Sequence, residues 1–283
     1  MLSDLYNLFL AAIRIQSQRR GLVGVRIFLA YTRLKIKNRY YLWRKRSPRR
    51  EQFLGYELEF FSYPSFVYLV EEIFVNGLYQ FTASRPRPLI LDCGSNIGLS
   101  VLYFKTIYPG AHIIAFEPDA NTFAVLKRNV ERNDLADVEL HNVALSDAAG
   151  TVFFHTEQSG SLSASLLSGR GEKDALATPV QCRTLSSVID GKVDFMKMDI
   201  EGAEAFCIPE IARAGKLQSI GKMVIECHHN LASDNTILTK VMSTLEANAF
   251  SYQVSSVVRL PVVRQEKQDV MLYAFRNDTA DMR

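Results

Sequence analysis

From Leu89 onward, short apolar runs alternate with longer stretches in which apolar residues return every three or four positions. The short runs predict strands at 89–92, 112–117, 138–144, 195–199 and 222–227, and the longer stretches predict helices at 97–107, 121–133, 204–214 and 235–248. Alternation of this kind builds a parallel sheet with helices on its faces. Two further apolar runs, 252–258 and 270–275, are joined by a segment too short for a crossover helix, so they should pair as an antiparallel hairpin. The expected fold class is α/β: a Rossmann-like sheet, parallel, closed by an antiparallel hairpin, and carrying a helical N-terminal extension.

The extension reads differently. Residues 1–46 show helical periodicity, with long aliphatic and aromatic side chains set among arginines, and Ser47-Pro48 is a plausible helix stop. An aromatic-rich stretch runs from Phe53 to Phe81. Within it, 68–79 looks helical, with Glu71 and Glu72 exposed and Ile73 and Leu78 turned inward. Ser84-Arg85-Pro86-Arg87-Pro88 then breaks the pattern, placing a boundary between residues 1–84 and 85–283. The segment 158–171 holds five serines and three glycines and is expected to be a flexible loop at the edge of the acceptor site.

Charge sharpens this division. The 283 residues carry a formal net charge of only +3. Residues 1–50 hold 13 Lys or Arg against one acid, Asp4, which leaves 20 basic and 29 acidic residues for the remainder. Only the first part should seek an anionic partner. It could lie in the interface of an anionic membrane, apolar side chains Leu2, Leu5, Phe9, Ile13, Phe28, Tyr31, Leu34 and Trp43 facing down. It could equally cap the rest of the protein. No apolar run reaches the length of a membrane span, and the arginines follow rather than precede the 5–13 apolar stretch, so no secretion signal is expected. The four cysteines match no zinc spacing and read as reduced core residues. Both features suit a cytoplasmic protein, with a peripheral position on the inner face of a membrane open to the basic arm.

Candidate chemistry begins at the first strand. Gly94 and Gly98 follow it in a tight turn before a helix, where a bound ligand can approach backbone amides. Asp92 ends that strand; a carboxylate there repels a pyrophosphate and attracts an ammonium group. Glu117 ends the second strand, where an acid can accept both hydroxyls of an adenosine ribose. A ligand that joins an amino acid to a nucleoside, without phosphates, suits both acids: S-adenosyl-L-methionine. Asn96 and Ile97 depart from the G-x-G-x-x-G spacing, which argues against NAD. Asn142 and Val143, at the end of the third strand, are placed to meet the adenine.

A second cluster forms where the next two strands end. The segment DFMKMDIEGAE brings Lys197, Asp199, Glu201 and Glu204 close together, and MVIECHH brings Glu226, His228 and His229. Glu204, and to a lesser extent Glu201, also suits the start of a helix. Strand ends of an open α/β sheet face the ligand crevice, so the catalytic candidates are Asp199, His228 and Glu226. Asp199 or His228 could take a proton from an attacking hydroxyl. A divalent metal held by Asp199, Glu226 and His228 could instead lower the hydroxyl pKa. The side-chain base is the expectation, and no metal ligand is assigned.

Taken jointly, DCGSNIG at 92–98, FEPD at 116–119, NVALSD at 142–147, KMDIEGAE at 197–204 and IECH at 225–228 resemble the FkbM family of methyltransferases, with EIFVNGLY at 72–79 similar to its lead-in helix. The resemblance covers about 68–230. It implies cofactor contacts at Asp92, Gly94, Asn96 and Glu117, a reaction centre around Asp199, and methylation of hydroxyl oxygens on sugars, glycans or complex natural products. Nothing in it extends to residues 1–60. The alternatives are a non-catalytic nucleoside-binding scaffold, an NAD-dependent oxidoreductase and an RNA methyltransferase. Nucleic acid is disfavoured because the chain beyond the basic arm is acidic.

Overall fold

The computed structural model describes residues 2–18, 22–156, 176–229, 236–256 and 268–276. The basic arm forms two helices, α1 (Leu2–Gln18) and α2 (Leu22–Arg44). A hairpin of β1 (Arg50–Phe53) and β2 (Tyr56–Glu59) follows. Its two-residue turn sets Leu54 and Gly55 at φ 54° and 97°, the left-handed backbone that tight hairpins require. Next come α3 (Tyr63–Val70), capped by the Ser62 hydroxyl with Pro64 in its first turn, and a π-helical turn over Glu71–Val75.

The predicted helix at 68–79 is thus shifted: helical backbone starts at Tyr63 and stops at Val75, and Gly77 then adopts φ 66°. Ile73 is buried as expected, whereas Leu78, Glu71 and Glu72 are all half-buried.

The main sheet has seven strands, β3 (Leu89–Cys93), β4 (His112–Phe116), β5 (Val138–His141), β9 (Val193–Met198), β10 (Ile220–His229), β11 (Phe250–Ser256) and β12 (Gln268–Arg276), in the order β11-β12-β10-β9-β3-β4-β5. The five strands from β10 to β5 run parallel, and β12 lies antiparallel between β10 and β11. This is the expected parallel sheet with its closing hairpin. A small second sheet of β6 (Ala144–Ser146), β7 (Gly150–Thr156) and β8 (Leu176–Thr184) stands apart from it. The predicted strand at 138–144 is therefore two strands, in different sheets. Helices α4 (Leu99–Ile107), α5 (Ala120–Arg132), α6 (Glu204–Arg213) and α7 (Ile237–Ala247) fill the connections. The serine- and glycine-rich segment 158–171 lies outside the described residues.

Strand alternation divides the core. Ile90, Ile113, Ala115, Phe195 and Val224 pack on one face of the sheet with residues of α1–α5. Leu91, Phe116, Met196, Met198, Met223 and Ile225 pack on the other with residues of α6 and α7. The N-terminal segment shares the first of these cores: Phe74 meets Tyr103 at 5.2 Å, and Phe81 stacks on Phe195 at 4.1 Å. All four cysteines are buried and free.

The chain enters the main sheet at β3, moves outward through β4 to β5, then returns to β9 on the other side of β3. The strand order reverses between β3 and β9, and a crevice opens there at the C-terminal strand ends. The paired residues at that point are Asp92 opposite Lys197 and Cys93 opposite Met198.

Candidate active site

Beyond β3 the backbone folds into a turn that excludes a side chain at two positions. Gly94 takes φ 86°, and a Cβ there would collide with the carbonyl oxygen of Asp199. Gly98 takes φ 91°, and its Cβ would meet Leu126 Cδ1 at 2.7 Å. Asn96, between them, is also left-handed at φ 50°. Its backbone N–H donates to Glu117 Oε2 at 3.0 Å, while the N–H of Asp119 donates to Glu117 Oε1 at 2.9 Å. The turn after β3 is thereby tied to the end of β4. Burial raises the Glu117 pKa to about 7, against the two N–H groups that favour its ionised form.

Asp92 lies beneath this turn with no exposed surface. Ser100 Oγ donates to its Oδ2 at 2.6 Å, and Lys197 Nζ stands 3.7 Å from its Oδ1. Burial raises the Asp92 pKa, and Lys197 and Ser100 pull it back. Lys197 also donates to the carbonyl oxygens of Cys93, at 3.3 Å, and Gly94, sits 5.5 Å over the Tyr79 ring and lies 3.5 Å from Asp199 Oδ2. Burial alone would lower the lysine pKa; the carboxylates of Asp199, Asp92 and Glu226 outweigh it and raise the value. One buried cation therefore joins the first acid to the second cluster.

That cluster gathers around His228, which is 2% exposed near the end of β10. Its Nδ1 lies 3.2 Å from Glu204 Oε1. Its Nε2 faces Glu201 Oε2 at 3.3 Å, Asp199 Oδ1 at 3.8 Å, Glu226 Oε1 at 3.9 Å and Asp269 Oδ1 at 3.9 Å. Glu204 begins α6, as expected, and accepts the backbone N–H groups of Ile200 and Gly202 at 3.1 and 3.2 Å. Glu201 sits in left-handed backbone at φ 61°, a strained conformation for a residue with a side chain. Burial, followed by the charge of Asp199, raises the Glu226 pKa to about 8. Donor atoms of Asp199, Glu226 and His228 all lie within 4.8 Å of one another, close enough for the three to share a metal ion.

Asn142 donates from Nδ2 to the carbonyl oxygens of Glu117 and Pro118 at 2.9 and 3.0 Å, fixing the loop after β4. Val143 is half-buried and packs against the second core. Ser100 beneath Asp92, Tyr79 beneath Lys197, Asp269 and Tyr68 are not singled out by the sequence pattern. Asp269 pairs with His228 across β10 and β12, a register that appears only once the hairpin is folded. Tyr68 on α3 is 54% exposed, and its pKa is raised to about 12 by partial burial and then by the charges of Glu72, Glu226, Asp269 and Asp199.

Over 169 residues the chain is 33% identical to methyltransferase sdnD of Sordaria araneosa, covering 48% of this chain and 65% of that protein. Over 85 residues it is 35% identical to the 31-O-demethyl-FK506 methyltransferase FkbM of Streptomyces tacrolimicus, covering 29% of this chain and 32% of that protein. The chain thus spans less than two thirds of the length of these curated relatives. The solved structure of methyltransferase FkbM from Methylobacillus flagellatus KT is 19% identical with a TM-score of 0.44, over 71% of this chain and 46% of that one. The methyltransferase FkbM domain matches residues 92–252, which run from Asp92 through both acidic clusters into β11, and the chain belongs to that family.

Proposed function

We propose that the protein is an S-adenosyl-L-methionine-dependent O-methyltransferase acting on a hydroxylated small-molecule or glycan acceptor. The observation that carries this reading is Glu117, a buried carboxylate held by the Asn96 N–H against the turn of Gly94 and Gly98. It offers an acceptor for ribose hydroxyls at the switch point of the sheet. Asp92, Gly94, Asn96, Gly98, Glu117, Asn142 and Val143 form the cofactor site in this reading. Asp92 acts from below, as a fixed negative charge that holds Lys197 and Ser100 under the turn.

When bound, the cofactor supplies a methyl group on a sulfonium centre, which an acceptor oxygen attacks in line. The chain contributes orientation and a destination for the hydroxyl proton. Asp199 is partly exposed and takes that proton, while His228, locked by Glu204, stabilises the cluster as it is neutralised. Burial and the neighbouring Asp199 charge favour the protonated form of Glu226, which leaves Asp199 as the proton acceptor in this reading. Hydroxyl methylation is favoured by the relative from Streptomyces tacrolimicus, whose name places its methyl group on an oxygen.

A second reading rests on the approach of Asp199, Glu226 and His228: a divalent ion among them would lower the acceptor pKa directly. Calorimetric titration with S-adenosyl-L-methionine and with NAD, followed by labelled-methyl transfer to hydroxylated acceptors, tests the proposal. Binding of NAD alone, or cofactor binding without transfer to any hydroxyl acceptor, would reject it.

A further inference from the structure

The second helix buries one face and leaves another apolar face uncovered. Gly24, Ile27, Tyr31 and Leu34 of α2 are buried, so the helix is seated on the protein. Lys35 pairs with Glu71 at 3.4 Å, and Arg14 of α1 donates to Asn76 at 2.7 Å, fixing both helices beside the π-helical turn. The eight apolar residues expected to share one face do not: Tyr31 and Leu34 point inward, while Phe9, Ile13 and Trp43 point out. The side chains of Leu2 and Leu5 lie outside the described residues.

What remains outside has its own order. Leu22, Val25, Leu29, Ile36, Tyr40 and Trp43 are each at least 50% exposed. Their separations of 3, 4, 7, 4 and 3 residues follow a single stripe along the helix, opposite the buried face. Phe9 and Ile13, one turn apart on α1, are exposed as well. Arg26, Arg33, Lys37 and Arg44, spaced by 7, 4 and 7 residues, form the adjoining row; Arg33 and Lys37 pair with Glu51 at 3.4 and 2.8 Å, so Arg26 and Arg44 are the cations this row offers to headgroups. The helix carries six basic residues and no acid. A solvent-facing helix surface of this size is normally polar, so an uncovered apolar stripe bordered by cations requires an occupant.

We propose that this face docks on the surface of an anionic lipid bilayer, the stripe lying among the acyl chains and the basic row on the headgroups. Charge decides between the possible occupants. A second copy of the chain would bring two rows of like charge together at the contact. A nucleic acid would satisfy the arginines but leave Leu22, Leu29 and Ile36 in water. An anionic bilayer matches both features. The excess of acids over bases beyond residue 50 repels the rest of the molecule from the same surface, so binding is also oriented. Among the described residues, no helix is long and apolar enough to cross a membrane, and the contact is therefore interfacial. None of this depends on the catalytic proposal.

Trp43 is the chain's single tryptophan and lies on the stripe, so it reports directly. The full chain is mixed at low salt with phosphatidylcholine vesicles, with and without phosphatidylglycerol, and followed by flotation and Trp43 emission. Flotation and a blue shift with the anionic vesicles alone are expected. The double variant Leu29→Ser/Ile36→Ser, which alters only exposed positions and keeps the reporter, should lower partitioning by about tenfold or more. Arg26→Gln/Arg44→Gln should lower it by about fivefold for each arginine. Circular dichroism confirms that both variants remain folded. Three results would each overturn the proposal: no flotation with anionic vesicles, equal binding to neutral ones, or a blue shift that rises with protein concentration in the absence of lipid. The last would identify a second copy as the occupant.

Discussion

His228 presents Nδ1 to Oε1 of Glu204 at 3.2 Å, and the carboxylate it meets has no exposed surface. The same Glu204 oxygen accepts two backbone N–H groups from the turn after β9. Glu204 therefore fixes the imidazole and the turn that carries Asp199 and Glu201 together. Orientation of this kind leaves Nε2 as the nitrogen turned toward the carboxylates. Glu204→Gln keeps the side-chain shape but removes the charge that holds the ring. Turnover is expected to fall by about 10- to 100-fold, the cost typical of losing a carboxylate behind a functional histidine. Cofactor affinity should stay unchanged, because the glycine turn and Glu117 are untouched. A parallel loss of cofactor affinity in calorimetry would show that the residue supports the fold rather than the imidazole.

Glu117 predicts a pH dependence with a definite sign. Its pKa is raised to about 7, so below that value the buried carboxyl is mostly neutral. Ribose hydroxyls donate to the ionised form. Affinity for adenosine, which does not itself titrate in this range, should rise with pH through about 7 and then level off. Stability should move the other way. A carboxyl with a raised pKa in the folded state contributes stability fully below its ordinary value, and this is lost as pH rises through about 7. Glu117→Gln should flatten both profiles and weaken adenosine binding by about 1–3 kcal/mol. Unchanged affinity in that variant would remove Glu117 from the ribose site.

How much of this was legible depended on whether local pattern or distant pairing made the feature. The inner parallel strands announce themselves because they are largely buried on both faces, and their apolar runs place Asp92, Glu117 and Asp199 at strand ends. The β1–β2 hairpin was hidden by its turn, where Leu54 adopts a backbone conformation usually left to Asn or Gly. The run at 138–144 looked continuous because Val143 and Ala144 keep the apolar texture while Asn142 turns the chain out of the sheet toward Glu117. Asp269 could not be placed without the register that sets it against His228. Lys197 was visible beside the acids, yet only burial reveals it as the cation that Asp92 and Asp199 share.

That shared cation gives a stability prediction. Asp92 and Lys197 are both nine-tenths buried or more, so removing the lysine leaves the Asp92 charge with the Ser100 hydroxyl beside it in place of a cation. Lys197→Met should destabilise the fold by about 3–5 kcal/mol, the usual cost of breaking a buried ion pair. Asp92→Asn/Lys197→Met should recover part of that loss, because the remaining amide still accepts from Ser100. Chemical denaturation of both variants measures the difference. If the double variant is no more stable than the single one, the two charges are not coupled.

The route of the acceptor proton is tested at Asp199. It borders the crevice, its backbone oxygen closes over Gly94, and its carboxylate faces both Lys197 and His228. Asp199→Asn keeps the volume and the backbone contact, so the fold and cofactor affinity should survive. Turnover should fall by about 10²–10⁴-fold, the contribution of a positioned base. The metal reading predicts the same loss, because Asp199 would then be a ligand, and the two are separated by adding a chelator to the parental enzyme. With a side-chain base, excess EDTA leaves the rate unchanged and elemental analysis finds no bound divalent ion. With a metal, EDTA abolishes turnover and a divalent salt restores it. His228→Gln adds an independent arm: the base reading expects a reduced rate with an altered pH profile, whereas the metal reading expects weakened ion binding that excess metal offsets. An Asp199→Asn enzyme that methylates its acceptor at the parental rate would exclude Asp199 from both mechanisms.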